Sequence, residues 1–309
     1  MNWKSTLKSR GYLISDGAWG TELVKLGMGA GEVAELWNVD HPDLVERVAH
    51  SYVEAGCDIL LTNSFSGTPW KLERLGLAER LVELNRAAAE ISHRAAGDRA
   101  MVFASVGPTG EMMAPLGTRT EEEFIACFAR QIEAFLPAGI DGLVVETMTD
   151  LGEAVAALKA ARQVAPRLPV VVSMTFDRLA GGGYATVMGV RPDRAAAALE
   201  AAGADVVGAN CGAGIDQMIE VARTLRTGTG LPLWLKSNAG LPALVDGRTI
   251  FRETPEAMAS RVQELIEAGA NIIGGCCGTT PEHIHALAAA AAEARETTLR
   301  VGSDVLARL

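Results

Sequence analysis

Short runs of apolar, mostly β-branched residues recur along the chain at intervals that fit one strand plus one helix. Ala-rich stretches of helical period, such as 153–163 and 192–202, lie between them. Strand and helix alternating eight times is typical of a (β/α)8 barrel, also called a TIM barrel. The predicted strands are 12–15, 58–62, 101–105, 142–146, 170–174, 205–208, 233–236 and 271–274. We therefore predict an α/β protein with a single barrel domain over residues 1–309.

Four of these strands are preceded by the same short pattern, Ala-Gly followed by one residue and then Asp or Asn. Its glycines are Gly56, Gly139, Gly203 and Gly269. Glycine just past a helix end supplies the left-handed backbone conformation before the chain re-enters the sheet. An open doubly wound sheet shares the alternation, but no Gly-x-Gly-x-x-Gly follows the first strand, and eight strands exceed the usual six. The repeated joint therefore favours the barrel.

Composition and charge narrow the class of protein. The 309 residues carry a formal net charge of −10, so we expect no nucleic-acid partner, because such proteins depend on clustered Lys and Arg. The N-terminus lacks the apolar core of a signal peptide, and no apolar stretch is long enough to cross a bilayer. Five cysteines are an odd number, so a disulfide framework is not expected. These features predict a cytoplasmic protein with reduced thiols and no membrane contact.

Three of the cysteines follow predicted strands in glycine-flanked segments. Cys211 follows the sixth strand, and Cys276 with Cys277 follows the eighth. Thiolates suit zinc, and three protein ligands leave the fourth tetrahedral position open for chemistry. Buried small hydrophobes and a vicinal-dithiol redox pair are the alternatives. Cys57 and Cys127, in an αβ joint and a helical stretch, are interpreted as structural.

Polar side chains also follow other predicted strands, at the end where barrel active sites lie. They are Asp16, Thr62, Asn63 and Glu146. Asp16 could instead be a turn residue before Gly17. An unpaired carboxylate such as Glu146 at the top of a buried strand would be costly, and a bound ammonium group would resolve it. Thr280-Pro281 predicts the start of the last helix, on which His283 and His285 are expected to face solvent.

The segments 16–21, 61–65, 105–108, 146–148, 209–212 and 274–281 resemble the homocysteine-binding barrel shared by cobalamin-dependent methionine synthase and betaine–homocysteine methyltransferase. The resemblance covers nearly the whole chain. It implies Cys211, Cys276 and Cys277 as ligands of Zn²⁺. It also implies a homocysteine site, for which the expected residues are Asp16, Gly17, Thr62, Asn63, Glu146 and Asn210. The implied activity is transfer of a methyl group to the thiolate of homocysteine, or of a related thiol or selenol, to form methionine.

The methyl donor implied by the resemblance is betaine or methylcobalamin. Quaternary ammonium groups bind aromatic faces, and the expected cage residues are Trp19, Trp37, Trp70 and Tyr184. Two tyrosines of the animal betaine enzymes are replaced, by Ser66 and Thr147. Bacterial members of this length include betaine users, which favours betaine. The Asp-x-His-x-x-Gly signature of a corrinoid module is not found, so methylcobalamin would come from a separate corrinoid protein.

A non-catalytic protein that senses homocysteine or zinc is a hypothesis of another class. It would bind homocysteine and turn over no donor.

Overall fold

The computed structural model describes residues 2–29, 31–245 and 248–306. The strands of its central sheet are β1 Leu13–Ile14, β2 Ile59–Leu61, β3 Met101–Val106, β4 Gly142–Met148, β5 Val170–Met174, β6 Val206–Cys211, β7 Leu233–Ser237 and β8 Ala270–Gly275. They are parallel and lie in the spatial order β1-β8-β7-β6-β5-β4-β3-β2. Contacts between β1 and β2 close the ring: the Asp58 N–H donates to the Ile14 carbonyl (2.7 Å), and the Asp16 N–H donates to the Ile59 carbonyl (3.1 Å). The predicted (β/α)8 barrel is confirmed.

A helix follows every strand and packs on the outside of the ring. These outer helices span Pro42–Glu54, Leu81–Ala96, Glu121–Phe135, Leu151–Val164, Pro192–Ala201, Ile215–Arg226, Val262–Glu267 and Pro281–Leu306. Further helices are Trp3–Arg10, Gly20–Lys25, Trp37–Asp40, Pro69–Arg74 and Pro255–Ala259, with 3₁₀ turns at Ala34–Leu36, Ala78–Arg80 and Leu136–Ala138. Small antiparallel hairpins follow β5 (Asp177–Arg178 with Tyr184–Ala185) and β7 (Ala243–Val245 with Arg248–Ile250). None of the described helices is long and apolar enough to cross a membrane.

The four repeated glycines adopt the conformation predicted for them. Their φ angles are +94° at Gly56, +82° at Gly139, +95° at Gly203 and +107° at Gly269. Each angle lies in the left-handed region, where a side chain would strain the backbone. The same αβ joint therefore sets the start of β2, β4, β6 and β8.

Alternate strand residues divide between two buried layers, as the two-residue period of a strand requires. One set fills the barrel interior and the other packs against the outer helices; Leu13 and Ile14 are one such pair. Two strand glycines allow close approach inside the barrel, one to the Phe103 ring and the other to the backbone of Trp234. A Cβ at Gly142 would lie 2.6 Å from the Phe103 ring, and one at Gly208 would lie 1.9 Å from the Trp234 carbonyl oxygen. The barrel interior is therefore solid, and any site must lie at its carboxyl end.

Candidate metal and substrate site

Three cysteine sulfurs meet at the carboxyl end of the barrel. Cys211 is the last residue of β6, and Cys276 and Cys277 directly follow β8. Their Sγ atoms all lie within 4.8 Å of one another, and those of Cys211 and Cys276 are 3.2 Å apart. Among the described residues, no other three His, Cys, Asp or Glu side chains form such a group. The structure therefore brings together the three thiols that were predicted to act as one centre.

The segment that leaves β7 holds the cysteines from both sides. The Cys276 N–H donates to the Ser237 carbonyl (2.8 Å), and the Ala239 N–H donates to the Cys277 carbonyl (3.0 Å). The Thr279 hydroxyl donates to the Cys276 carbonyl (2.7 Å) and accepts from the Ala18 N–H (3.2 Å). These bonds fix the backbone of the turn, so the sulfurs are oriented before any ligand arrives.

Glycine at position 275 is required by close packing. A Cβ there would lie 2.2 Å from the Thr279 hydroxyl oxygen and 2.6 Å from its Cβ. Any larger residue would displace the hydroxyl that holds the turn. Gly275 beside the cysteine pair is therefore required by packing against Thr279.

The thiols share their protons. Hydrogen bonding by the neighbouring thiols of Cys211 and Cys276 lowers the pKa of Cys277. The pKa of Cys211 is raised, first by its hydrogen bond with Cys276 and then by hydrogen bonding with Cys277 and by burial. One sulfur therefore ionises readily, while three thiolates without a cation would repel one another strongly.

The donor set fits a metal ion such as Zn²⁺. Zn–S bonds near 2.3 Å in tetrahedral geometry place sulfurs about 3.8 Å apart, and the three Sγ atoms lie within 4.8 Å. Asn238 lies beside them: its N–H donates to the Cys211 carbonyl (3.4 Å) and its side-chain amide donates to the Gly212 carbonyl (2.7 Å). The Asn238 Oδ1 atom is buried without a hydrogen-bond partner. Three soft sulfur donors at this spacing are a ligand set that suits a zinc ion.

A buried charge cluster lies at the same end of the barrel. The Lys236 Nζ and an Asp16 carboxylate oxygen are 2.6 Å apart, and the two side chains are 3% and 0% exposed. Asp16 also accepts from the Trp19 indole N–H (2.9 Å) and the Leu61 N–H (2.8 Å). The Asp16 carboxylate is therefore held in an ion pair inside the protein. The alternative interpretation of Asp16 as a turn residue is wrong. The sequence analysis missed Lys236. The signal was present, because Lys236 follows the apolar run Leu233-Trp234-Leu235 in the same way that Glu146 follows an apolar run in its own strand.

Glu146 is the carboxylate of this cluster with the fewest partners. The Ser105 hydroxyl donates to its Oε1 atom at 2.5 Å, and the residue is only 8% exposed. Burial raises the pKa of Glu146 to about 7, although the nearby Lys236 charge opposes the rise. The site thus contains a carboxylate that a cationic ligand would stabilise in its ionised form.

The remaining residues predicted for homocysteine are occupied by bonds within the protein. Thr62 bonds the Ser64 hydroxyl (2.6 Å), and the Asn63 amide donates to the Ala34 carbonyl (2.8 Å). Gly17 is a close-packing position, since a Cβ there would lie 2.7 Å from the Tyr52 ring. Asn210 bonds Thr147, Ser173 and the cysteine sulfurs. These residues position the site's backbone and leave Glu146 as the carboxylate with bonding capacity to spare.

The four aromatic residues predicted to form a donor cage have separate partners. Trp37 bonds the Glu32 carboxylate (2.8 Å), Trp70 packs edge-on against Phe124, and the Tyr184 hydroxyl donates to Glu220 (2.6 Å). Trp19 bonds Asp16 and so lies at the barrel mouth. Each of the four rings therefore has a partner outside the set, and the donor cage stays a prediction.

The start of the last helix corrects one expectation. The helix begins at Pro281 as predicted, and His285 is exposed. His283 is 5% exposed; the Thr280 N–H donates to its Nδ1 atom (3.1 Å), and its Nε2 atom contacts the Glu253 carbonyl (3.0 Å). The prediction that His283 faces solvent was wrong, because its ring caps the helix.

Cys57 and Cys127 lie apart from the thiol centre. Both are buried, and burial raises the pKa of Cys127 to about 12. Their burial as neutral thiols agrees with the structural interpretation.

The fold and the site together define a class of protein, a (β/α)8 barrel with a three-thiol centre at its carboxyl end that can hold a metal ion. Residues 13–291 match the homocysteine S-methyltransferase family model. The chain belongs to the homocysteine S-methyltransferase family, and its predicted membership is confirmed.

Individual relatives agree with this assignment. The chain is 30% identical to methionine synthase of Mycobacterium leprae over 314 residues and 29% identical to that of Mycobacterium tuberculosis over 313 residues. These matches cover 96% of this chain but only 26% of either synthase. The metallated form of the homocysteine methyltransferase MmuM from Escherichia coli superimposes with a TM-score of 0.77 at 27% identity, covering 93% of this chain and 98% of MmuM.

Proposed function

We propose that residues 1–309 form one domain that transfers a methyl group to the thiolate of homocysteine, with Zn²⁺ held by Cys211, Cys276 and Cys277. The observation that carries the proposal is the approach of the three sulfurs to within 4.8 Å at the barrel mouth. Family membership supports the acceptor, and the MmuM structure with a metal supports the metal.

The cysteines and the ion have distinct tasks in this proposal. Bound Zn²⁺ would supply Lewis acidity, which favours the thiolate form of a sulfur ligand at neutral pH. The rigid turn around Cys276 keeps the sulfurs in place, so little reorganisation is needed when the acceptor binds. Methyl transfer to sulfur needs no general base at carbon. The protein therefore has to activate the acceptor thiolate and align it with the methyl donor.

Glu146 is proposed to bind the ammonium group of the acceptor. It is buried and has one hydroxyl partner, and the next residue, Thr147, bonds Asn210, whose amide contacts the Cys211 sulfur. A charge-assisted hydrogen bond is worth roughly 1.5–3 kcal/mol, so 4-mercaptobutanoate, which lacks the amino group, should be methylated about 10- to 100-fold less efficiently than homocysteine. Equal kcat/KM values for the two thiols would contradict the assignment.

Betaine remains the donor predicted from the sequence, although the separate ring partners of Trp37, Trp70 and Tyr184 give the cage no support. Methylcobalamin delivered by a separate corrinoid protein is the second candidate, and the similarity to methionine synthases favours it. Incubation of homocysteine with betaine, S-methylmethionine, dimethylsulfoniopropionate or methylcobalamin, with methionine measured by mass spectrometry, distinguishes these donors.

The decisive experiment measures metal and activity on the same variants. Wild-type protein should hold about one zinc per chain, whereas C211A, C276A and C277A should lose both zinc and methionine formation. C127A is the matched control, because it removes a buried thiol outside the centre. A wild-type protein without stoichiometric metal would refute the proposal, and metal with homocysteine binding but no turnover of any donor would identify a sensor instead.

A further inference from the structure

The side chain of Asn210 is fixed in one orientation at the end of β6. It is 1% exposed, and its Oδ1 atom accepts from the Thr147 N–H (2.9 Å) and from the Ser173 hydroxyl (2.7 Å). A backbone N–H can only donate, so the atom facing Thr147 must be the amide oxygen. The NH₂ group of Asn210 consequently points the other way, toward the thiol centre.

The two protons of that NH₂ group face three acceptors. These are the Thr147 hydroxyl at 2.7 Å, the Cys211 sulfur at 3.3 Å and the Cys276 sulfur at 3.8 Å. One proton goes to the hydroxyl, and the other is shared between the sulfurs. The amide therefore uses its full hydrogen-bonding capacity within the protein, and none remains for homocysteine.

The same amide bridges two backbone positions of unusual conformation. Thr147 (φ +61°) and Cys211 (φ +68°) are the non-glycine residues with positive φ in the described part of the chain. Such conformations cost of order 1–3 kcal/mol each and persist only where the surroundings enforce them. Asn210 bonds both residues, and Thr147 lies where the register of β4 shifts between Val145 and Met148.

We propose that Asn210 is a positioning residue of the thiol centre rather than a substrate ligand. It holds the backbones of Thr147 and Cys211 in their left-handed conformations and donates an N–H to the cysteine sulfurs. An N–H bonded to a thiolate withdraws electron density from it, so Asn210 would set both the geometry and the donor strength of the sulfurs. The inference rests on the proposed function only in assuming that these cysteines hold a metal ion.

The N210D variant tests the proposal, because it keeps the size of the side chain and the acceptor for Thr147 but replaces the NH₂ group with a carboxylate oxygen. Outer partners of metal ligands typically contribute 10- to 100-fold in metal affinity. Chelator competition should show zinc binding weakened by about that factor. In the Co²⁺-substituted variant, the sulfur-to-cobalt charge-transfer band should move to longer wavelength, since the sulfurs become more electron-rich.

N85D is the matched control for burying a carboxylate. Asn85 is equally buried, and its amide donates to the Gly67 and Leu81 carbonyls, away from the sulfurs. Like N210D it should lower the unfolding midpoint of the metal-free protein, but its zinc affinity and cobalt band should match wild type. An N210D variant with the wild-type band position would overturn the N–H donation to sulfur.

A second variant separates the two tasks of Asn210. T147G removes the strain at position 147 while retaining the backbone N–H that bonds Asn210. If Asn210 served only to hold Thr147, adding T147G to N210D would restore wild-type zinc affinity and band position, which would overturn the proposal. We expect the unfolding midpoint to recover in part and the band to stay displaced.

A measurement on wild-type protein covers the case in which N210D fails to fold. With a spin-one-half cadmium isotope in place of zinc and labelled asparagine, a side-chain amide proton should show coupling to cadmium through the hydrogen bond to sulfur. Cadmium bound without that coupling would refute the proposal. A wild-type protein that binds no metal would refute the proposed function instead.

Discussion

Replacing Lys236 by Met should destabilise the metal-free protein far more than the same replacement at a surface lysine. The Lys236–Asp16 pair is 2.6 Å long and its side chains are 3% and 0% exposed. Removing one partner of a buried pair leaves an uncompensated charge and costs roughly 3–5 kcal/mol. Asp16 would still accept from the Trp19 and Leu61 N–H groups, so we expect the lower end of that range, about 3 kcal/mol, for K236M.

The converse variant should cost more. In D16N the Lys236 ammonium loses its hydrogen-bonded carboxylate and keeps only the electrostatic attraction of Glu146 and Cys276. We expect about 4–5 kcal/mol for D16N. The double variant should cost at least about 2 kcal/mol less than the sum of the two, because each single change strands the partner's charge.

Urea unfolding of metal-free protein under reducing conditions measures these free energies. K159M is the matched control, since the Lys159–Glu121 pair is as short, at 2.5 Å, but its side chains are 47% and 40% exposed. Solvent screening should keep the effect of K159M below about 1 kcal/mol. If K236M were no worse than K159M, or if the double variant were additive, the assignment of Lys236 and Asp16 as a coupled buried pair would be refuted.

Three further predictions concern residues around the thiol centre. The folded pKa of Glu146 is about 7 against an ordinary 4.5, so the folded state binds the extra proton and stability should fall as pH rises from 4.5 to 7, by roughly 3 kcal/mol. E146Q should flatten that part of the stability–pH curve in metal-free protein, and an unchanged slope would contradict the shift. G17A should lower the unfolding midpoint by the equivalent of about 1–3 kcal/mol because its Cβ would meet the Tyr52 ring at 2.7 Å; wild-type stability in thermal unfolding would show that the ring gives way. T279V should weaken zinc binding in chelator competition, since the Cys276 carbonyl loses its hydroxyl donor, and a wild-type affinity would show that the turn holds without it.

The sequence was sufficient to predict the barrel and the thiol centre because both follow from strand periodicity. Because the strands are parallel, Cys211 and Cys276 lie at the same end of the ring, and this placement does not depend on the conformation of the loops. The Ala-Gly joints repeat because each meets the same helix-to-strand geometry. Features that depend on the order of strands, and not on loop conformation, were therefore predictable.

Side-chain partners were less predictable, because they depend on distances between residues far apart in sequence. Asp16 was assigned to substrate, but Lys236 lies 220 positions away and occupies its carboxylate. The predicted aromatic cage depends on the conformations of four loops, and loop backbones have no periodic signal. The sequence therefore did not predict that Trp37 and Tyr184 bond carboxylates of their own surroundings.

The barrel mouth collects more acidic groups than it can keep ionised. Three thiols, Asp16 and Glu146 lie around one buried cation, Lys236. In the metal-free protein, burial raises the pKa of Glu146 and hydrogen bonds between thiols raise the pKa of Cys211. These groups therefore keep their protons to higher pH than isolated side chains would. A divalent metal ion and the ammonium group of an amino acid would each displace those protons. The excess of acid that makes the metal-free mouth costly to ionise therefore favours the proposed binding of a metal ion and a cationic acceptor together.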